Sequence, residues 1–85
     1  QAFEIKQQLD ELTAKLVQMR GTFDIPGRTA RAGELEAQRE VPTFWDDPKA
    51  ATAVSQQLAA LGAVIESYDS AARALSDLQE LWPLV

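Results

Sequence analysis

The sequence predicts an all-α fold, an antiparallel three-helix bundle with a long, overhanging third helix. Apolar residues recur at steps of three and four, which is helical spacing, and no stretch has the strict alternation of a strand. Proline, glycine and aspartate fall at the boundaries between the helix-like stretches. A chain of 85 residues is enough for one small domain. We therefore expect a single helical domain over residues 1–85.

The first predicted helix covers residues 2–20. Its apolar residues form one stripe that matches the seam of a coiled coil: Ile5, Leu9, Leu12, Leu16 and Met19. Gly21 follows Arg20, and a basic last turn followed by a residue free to take positive φ is a common helix end. The sequence therefore predicts that Gly21 terminates this helix.

The second predicted helix covers residues 24–41. Asp24 is a suitable N-cap, because its carboxylate can accept hydrogen bonds from the free amides of the first turn. Gly27 and Gly33 are expected to weaken the helix by about 1 kcal/mol each relative to alanine. Pro42 is predicted to end it, because proline disfavours helical geometry at the residue before it.

The third predicted helix covers residues 48–82, with Asp47 as N-cap and Pro48 at the first helical position. Its apolar face follows the same rhythm: Val54, Leu58, Leu61, Ile65, Tyr68, Ala72 and Leu75. Unbroken, it would be a rod roughly 50 Å long. A kink or break at Ser67–Ser70 is left open, because serine and aspartate there can cap a new helix.

The stretch PTFWDDPKAA, from Pro42 to Ala51, separates the second and third helices. An aromatic pair beside two carboxylates is able to hold a cation or a peptide. The sequence favours a structural corner instead, because no convergent polar groups accompany the pair. Phe44 and Trp45 are then predicted to close the apolar end of the bundle, with burial of each ring worth a few kcal/mol.

Candidate catalytic or ligand-binding residues are few. Glu36 and Glu40 lie one helical turn apart, but a solvated acidic face is favoured over a metal site because the chain has no histidine. Without histidine a Ser-His-acid arrangement is impossible, and the glycines match no phosphate-binding loop. We predict no catalytic, cofactor-binding or metal-binding residue, and a structural role for six positions: Asp24, Pro42, Phe44, Trp45, Asp47 and Pro48.

The charge balance indicates a protein partner. Thirteen acidic residues against eight basic ones give a net charge of −5, and a surface of that sign repels nucleic-acid phosphates. No run approaches the roughly 20 apolar residues of a membrane span, and the lack of cysteine suits a cytosolic protein. Because Gln1 is not an initiator methionine, we expect the chain to be part of a longer protein.

The segment from Arg20 to Ala51 resembles the start of bacterial peptide chain release factor 2. That family shows the order Arg-Gly, then an aromatic residue or Leu followed by Asp, then a helix with Leu-Glu near its end, and then Pro-x-x-Trp-x-x-Pro. The matching residues here are Arg20-Gly21, Phe23-Asp24, Leu35-Glu36, Pro42, Trp45 and Pro48. The heptad helix before this segment and the long helix after it extend the resemblance over nearly all of the chain.

The resemblance implies a cytoplasmic protein of translation termination that reads the stop codons UGA and UAA. The family's codon-reading Ser-Pro-Phe and catalytic Gly-Gly-Gln lie in later domains, and neither tripeptide occurs here. The family's N-terminal helical domain reaches the stalk-base protein of the large ribosomal subunit and influences the GTPase release factor. The chain is thus expected to be this non-catalytic N-terminal domain, with no direct contact to nucleic acid or membrane.

The resemblance also implies a further helix that folds back on the third. Without it, several apolar residues would lack part of their cover: Leu75, Leu78, Leu81, Trp82 and Leu84. The isolated fragment is therefore predicted to self-associate there or to fray. The alternative function is a generic helical adaptor or coiled-coil dimerisation module, which explains the heptads but gives no reason for Pro-x-x-Trp-x-x-Pro.

Overall fold

The computed structural model describes residues 2–84, apart from the side chain of Leu84. Three α-helices follow one another: α1 (Ala2–Thr22), α2 (Ile25–Arg39) and α3 (Pro48–Leu81). Single 3-10 turns flank α3 at Pro42–Asp46 and Trp82–Leu84. The described residues contain no strand. The predicted all-α class, with three helices of which the third is long, is confirmed.

The helices α1 and α2 lie one after the other along α3, and both run antiparallel to it. Thr13 of α1 contacts Gln79 near the far end of α3, whereas Met19 and Ile25 share a cleft with Tyr68 near its middle. The molecule measures 61 × 24 × 14 Å. Because a helix with its side chains is about 10–12 Å across, the helices form essentially one layer.

This flat arrangement leaves much surface uncovered. The radius of gyration is 18.3 Å, against about 12 Å for a compact chain of this length. The accessible surface is 6430 Å², and a compact monomer of this size would expose about 5,000 Å². The helices therefore present faces that nothing within residues 2–84 covers.

The buried core is correspondingly small and is spread along the rod. Its members among the described residues are Leu9, Ile25, Leu35, Ala51 and Leu75. Each helix contributes at least one of them, and Leu35 is the best covered, with 1% of its surface exposed. The helices are thus held to one another at separate points along α3, and no single central cluster forms.

The predicted end of the first helix at Gly21 is wrong. The helix continues to Thr22, and no glycine of the described chain has a positive φ. The left-handed residue is instead Asp24, with φ 47° and ψ 56°. The Phe23 amide donates to the Met19 carbonyl over 2.9 Å, so the helical bonding pattern passes through Gly21 unchanged. Aspartate tolerates the left-handed region better than most residues.

The end of α2 shows the restriction that proline imposes. Val41, which precedes Pro42, is extended with φ −71° and ψ 126°. The regular helix ends at Arg39, two residues earlier than predicted, and the Glu40 amide bonds back to the Ala37 carbonyl over 3.2 Å. The chain therefore leaves the helix over two residues rather than at the proline itself.

The third helix is continuous from Pro48 to Leu81, with no break at Ser67–Ser70. This stretch lies opposite the junction of α1 and α2, where half-buried Tyr68 lines a cleft together with Phe23 and Ile25. Tertiary packing of this kind overrides the local preference of serine and aspartate for caps. α3 thus forms an unbroken spine about 50 Å long.

Candidate interaction surface at the corner between α2 and α3

The corner between α2 and α3 is built by two prolines and an aspartate. Pro42 opens the 3-10 turn Pro42–Asp46, and Pro48 occupies the first position of α3. Asp47 lies at the N-cap, where its Oδ1 accepts from the amides of Lys49 at 3.1 Å and Ala50 at 3.2 Å. The start of α3 and the direction of the chain before it are therefore fixed locally.

The sequence predicts that Phe44 and Trp45 both close the apolar end, and for Trp45 this is wrong. Trp45 is 55% exposed, whereas Phe44 is half-buried. In a 3-10 turn successive side chains point about 120° apart, so two neighbouring rings do not both face the helices. The rings instead meet edge to face, with centroids 4.8 Å apart and planes at 87°.

Arg39 of α2 lies over the indole of Trp45. Its guanidinium carbon is 5.7 Å from the ring centroid, a cation–π contact worth roughly 0.5–1 kcal/mol at an exposed site. Within residues 2–84 the ion pairs are Lys6–Asp10 and Arg31–Glu34. Arg39 therefore neutralises neither Glu36 nor Glu40 by a direct ion pair, although both are on its own helix.

Trp45 forms a ridge between two shallow depressions of about 340 and 330 Å³. We call the ridge and its two flanks the Trp45 surface. On the α2 side the flank consists of Glu36, Arg39 and Glu40. On the α3 side it consists of Ala51, Thr52, Ser55, Gln56 and Ala59. The α2 flank carries charged side chains, and the α3 flank carries uncharged side chains that are mostly small. Neither flank encloses a cavity of the kind that surrounds a small molecule.

The corner between α1 and α2 depends on Asp24 and Gly27. Asp24 Oδ1 accepts from the Gly27 amide at 3.2 Å, and Arg28 Nε donates to the Phe23 carbonyl at 2.7 Å. A Cβ atom on Gly27 would lie 2.7 Å from Asp24 Cγ, closer than atoms pack. Sequence reasoning recognised the Asp24 cap but treated Gly27 only as a weak point. The spacing Asp-x-x-Gly was the signal that it missed.

A second uncovered surface is an apolar groove of about 370 Å³ between α1 and α3. Its apolar lining consists of Leu12, Leu16, Met19, Ala71, Ala74, Leu75 and Leu78. Leu12 is 46% and Leu78 is 49% exposed. We call this the α1–α3 groove. On α3 it extends from Ala71 to Leu78.

The apolar side chains at the end of α3 are predicted to be partly uncovered, and this prediction is correct for some of them and wrong for one. Leu78 and Leu81 are about half exposed, and Trp82 is half-buried. Leu75 is buried, because α1 packs against that part of α3. The Leu84 side chain lies outside the described part of the chain.

Within residues 2–84 no three histidine, cysteine, aspartate or glutamate side chains gather as metal ligands would. Glu36 and Glu40 line a depression whose other members are Arg39 and Trp45. No helix in the same range has the length and apolar character needed to cross a membrane.

Comparison with known proteins shows similarity to peptide chain release factor 2 of several bacteria. The relative from Thermus thermophilus is 43% identical over 61 residues, which is 72% of this chain and 16% of the relative. That from Staphylococcus haemolyticus is 32% identical over 82 residues, or 96% of this chain and 22% of the relative. A relative from Staphylococcus aureus is 28% identical over 82 residues, which is again 96% of this chain and 22% of the relative.

No protein-family model and no solved structure matches the chain. The resemblance to release factor 2 is confirmed over most of the chain's length. The chain spans about a fifth or less of the length of the curated relatives that it matches.

Proposed function

We propose that this chain, which resembles release factor 2 over most of its length, is the non-catalytic N-terminal helical domain of a class I peptide chain release factor. The factor would act in the cytoplasm on ribosomes stopped at UGA and UAA. The observation that carries the proposal is the 32% identity over 96% of the chain. Coverage of 22% of the relative leaves ample length for codon reading and hydrolysis in other domains.

The proposed role of this domain is to contact the large ribosomal subunit at its stalk-base protein. A layer 61 Å long and 14 Å thin has the shape of a strut, and its helices expose faces that no described residue covers. The net charge of −5 favours contact with basic proteins over contact with RNA. The same domain is proposed to influence the GTPase release factor that recycles the complex.

The proposal is tested first by the complete reading frame. We expect Ser-Pro-Phe and then Gly-Gly-Gln downstream of this segment, in one polypeptide. The docking role is tested by recovery of the stalk-base protein with the full-length factor and with a factor lacking residues 1–85. Loss of recovery with the shortened factor supports docking through this domain, and equal recovery with both contradicts it.

The 85-residue chain by itself is proposed to self-associate or to fray at the end of α3. The supporting observation is the α1–α3 groove, where Leu12 and Leu78 remain about half exposed. Contiguous exposed apolar side chains favour association. Sedimentation showing a monodisperse monomer, with full protection of α3 from hydrogen exchange, would contradict this proposal.

A helical adaptor or dimerisation module outside translation is the second candidate, and the same groove favours it. The two candidates differ in the reading frame, because a dimerisation module requires neither tripeptide. They also differ in oligomeric state, since a dimerisation module stays dimeric in its full-length form, whereas a docking domain has no need to.

A further inference from the structure

We propose that the Trp45 surface is the site at which this domain binds a basic segment of its protein partner. The inference rests on the proposed docking function and assigns to it a specific surface. The segment would place an apolar side chain against Trp45 and lysine or arginine side chains beside Glu36 and Glu40.

The first support is the exposure of a large ring that is held in place. Trp45 is 55% exposed, yet it is held by the Phe44 ring, whose centroid is 4.8 Å from its own, by the Arg39 guanidinium 5.7 Å from its centroid, and by a turn with proline at its start. A ring that is already ordered loses little conformational freedom on binding. Tryptophan is also enriched among the residues that dominate binding energy at protein interfaces.

The second support is the charge next to the ring. The Arg39 guanidinium lies over the indole, and no described basic side chain is within ion-pair distance of Glu36 or Glu40. These two carboxylates therefore remain available to a cation from outside. Their two negative charges outnumber the single positive charge of Arg39 on the same flank, so the local potential attracts lysine and arginine and repels phosphate. The surface therefore favours a basic protein segment over RNA.

The third support is the shape of the α3 flank. Thr52, Ser55 and Ala59 are small, and they border the ridge over buried Ala51. Small side chains allow a partner to approach the helix closely, so an apolar side chain can lie in the depression with one wall formed by the indole. The Trp45 surface thus combines an aromatic anchor, a place for one apolar side chain and an acidic rim.

The test measures binding of the full-length factor to purified stalk-base protein and, separately, to protein-free ribosomal RNA of the large subunit. Trp45→Ala removes the anchor, and the pair Glu36→Gln with Glu40→Gln removes the rim charges. Phe3→Ala is the matched aromatic control, because Phe3 is 76% exposed at the far end of α1. Glu4→Gln with Glu11→Gln removes the same charge from an exposed face of α1.

We expect Trp45→Ala to raise the Kd for the stalk-base protein about tenfold or more, as loss of a central aromatic anchor does. The double variant Glu36→Gln with Glu40→Gln should raise the same Kd by about threefold to tenfold, with a larger effect at low salt. Both controls should stay within about twofold of the unaltered factor, and binding to the RNA should not weaken with any variant.

Three results of the binding measurements would overturn the inference. If removal of residues 1–85 abolishes binding while all four variants bind normally, docking stands and its site lies elsewhere in the domain. If removal of residues 1–85 has no effect, the proposed function fails and this inference fails with it. If Trp45→Ala weakens binding to the RNA alone, the surface reads nucleic acid.

Thermal unfolding of the full-length factor separates an effect on binding from an effect on folding. If other parts of the polypeptide cover Trp45, then Trp45→Ala should lower the Tm of the full-length factor by several degrees and leave the Kd unchanged, which also contradicts the inference. The double variant Glu36→Gln with Glu40→Gln should fold normally, because both side chains are exposed and the glutamine replacements keep their size. A change in its Kd therefore reports on binding and not on folding.

Discussion

Gln79 Nε2 donates a hydrogen bond to Thr13 Oγ1 over 2.8 Å and so joins α3 to α1. The two residues are 66 positions apart, and the other side-chain hydrogen bonds within residues 2–84 are all local. The Thr13 hydroxyl in turn donates to the Leu9 carbonyl over 2.8 Å. The bond fixes the position of α1 along α3, because sliding by one turn would move the hydroxyl about 5.4 Å away.

Gln79→Ala should lower the free energy of unfolding by about 0.5–1 kcal/mol, since it leaves the Thr13 hydroxyl without its cross-helix partner. Gln57→Ala is the control, because Gln57 lies exposed on the same helix. Both changes gain the same small helix propensity of alanine. Urea denaturation of the two variants measures the difference. Equal stability would mean that apolar packing alone positions α1.

The two glycines of α2 should respond in opposite ways to replacement by alanine. Gly33→Ala adds a methyl group where no atom lies within 4 Å, so it should stabilise the chain by about 0.5–1 kcal/mol. Gly27→Ala gains the same propensity but displaces the Asp24 carboxylate, which costs about 1 kcal/mol of capping. We expect it to be neutral or destabilising. A gain from Gly27→Ala equal to that from Gly33→Ala, measured by thermal unfolding, would contradict this account.

Replacement of Asp24 by asparagine should leave the free energy of unfolding nearly unchanged, whereas replacement by alanine should lower it. Asparagine keeps a capping oxygen and tolerates the left-handed backbone at φ 47°. Alanine loses the cap and strains the backbone, for a combined cost of about 2 kcal/mol. In the Asp24→Ala background the obstacle to a methyl group on Gly27 is gone, so Gly27→Ala should become stabilising there. Denaturation of the two single variants and the double variant measures this coupling, and additive effects would disprove it.

Much of this fold can be predicted from local chemistry. The four-three rhythm of apolar residues predicts α1 and α3, the Asp24 cap and Pro42 delimit α2, and the Asp47-Pro48 pair places the start of α3. The Pro42 restriction is visible at Val41. These features depend on residues within one or two turns of each other, so a single sequence carries the information.

The errors are of two kinds. The wrong end of α1 at Gly21 and the missed Asp24–Gly27 contact are local, whereas the errors in burial concern which side chains the neighbouring elements cover. Periodicity shows which face of a helix is apolar but not how much of it a neighbour will cover. Leu75 is buried because α1 reaches it, whereas Trp45 is exposed because Phe44 takes the inward direction. The exposure of Trp45, the feature that supports the proposed binding surface, could therefore not be read from the sequence.

Leu35→Ala should be the most damaging apolar truncation in the chain. Leu35 is 1% exposed in a core with few other buried side chains, and loss of a buried leucine typically costs 2–5 kcal/mol. Because a flat domain of this size has little stability in reserve, we expect the variant to lose its cooperative thermal transition. Leu81→Ala is the matched control: Leu81 is 56% exposed and its truncation should cost less than about 1 kcal/mol. Circular dichroism melts of the two variants make the comparison, and similar Tm values would show that α2 packs on α3 less tightly than the burial of Leu35 indicates.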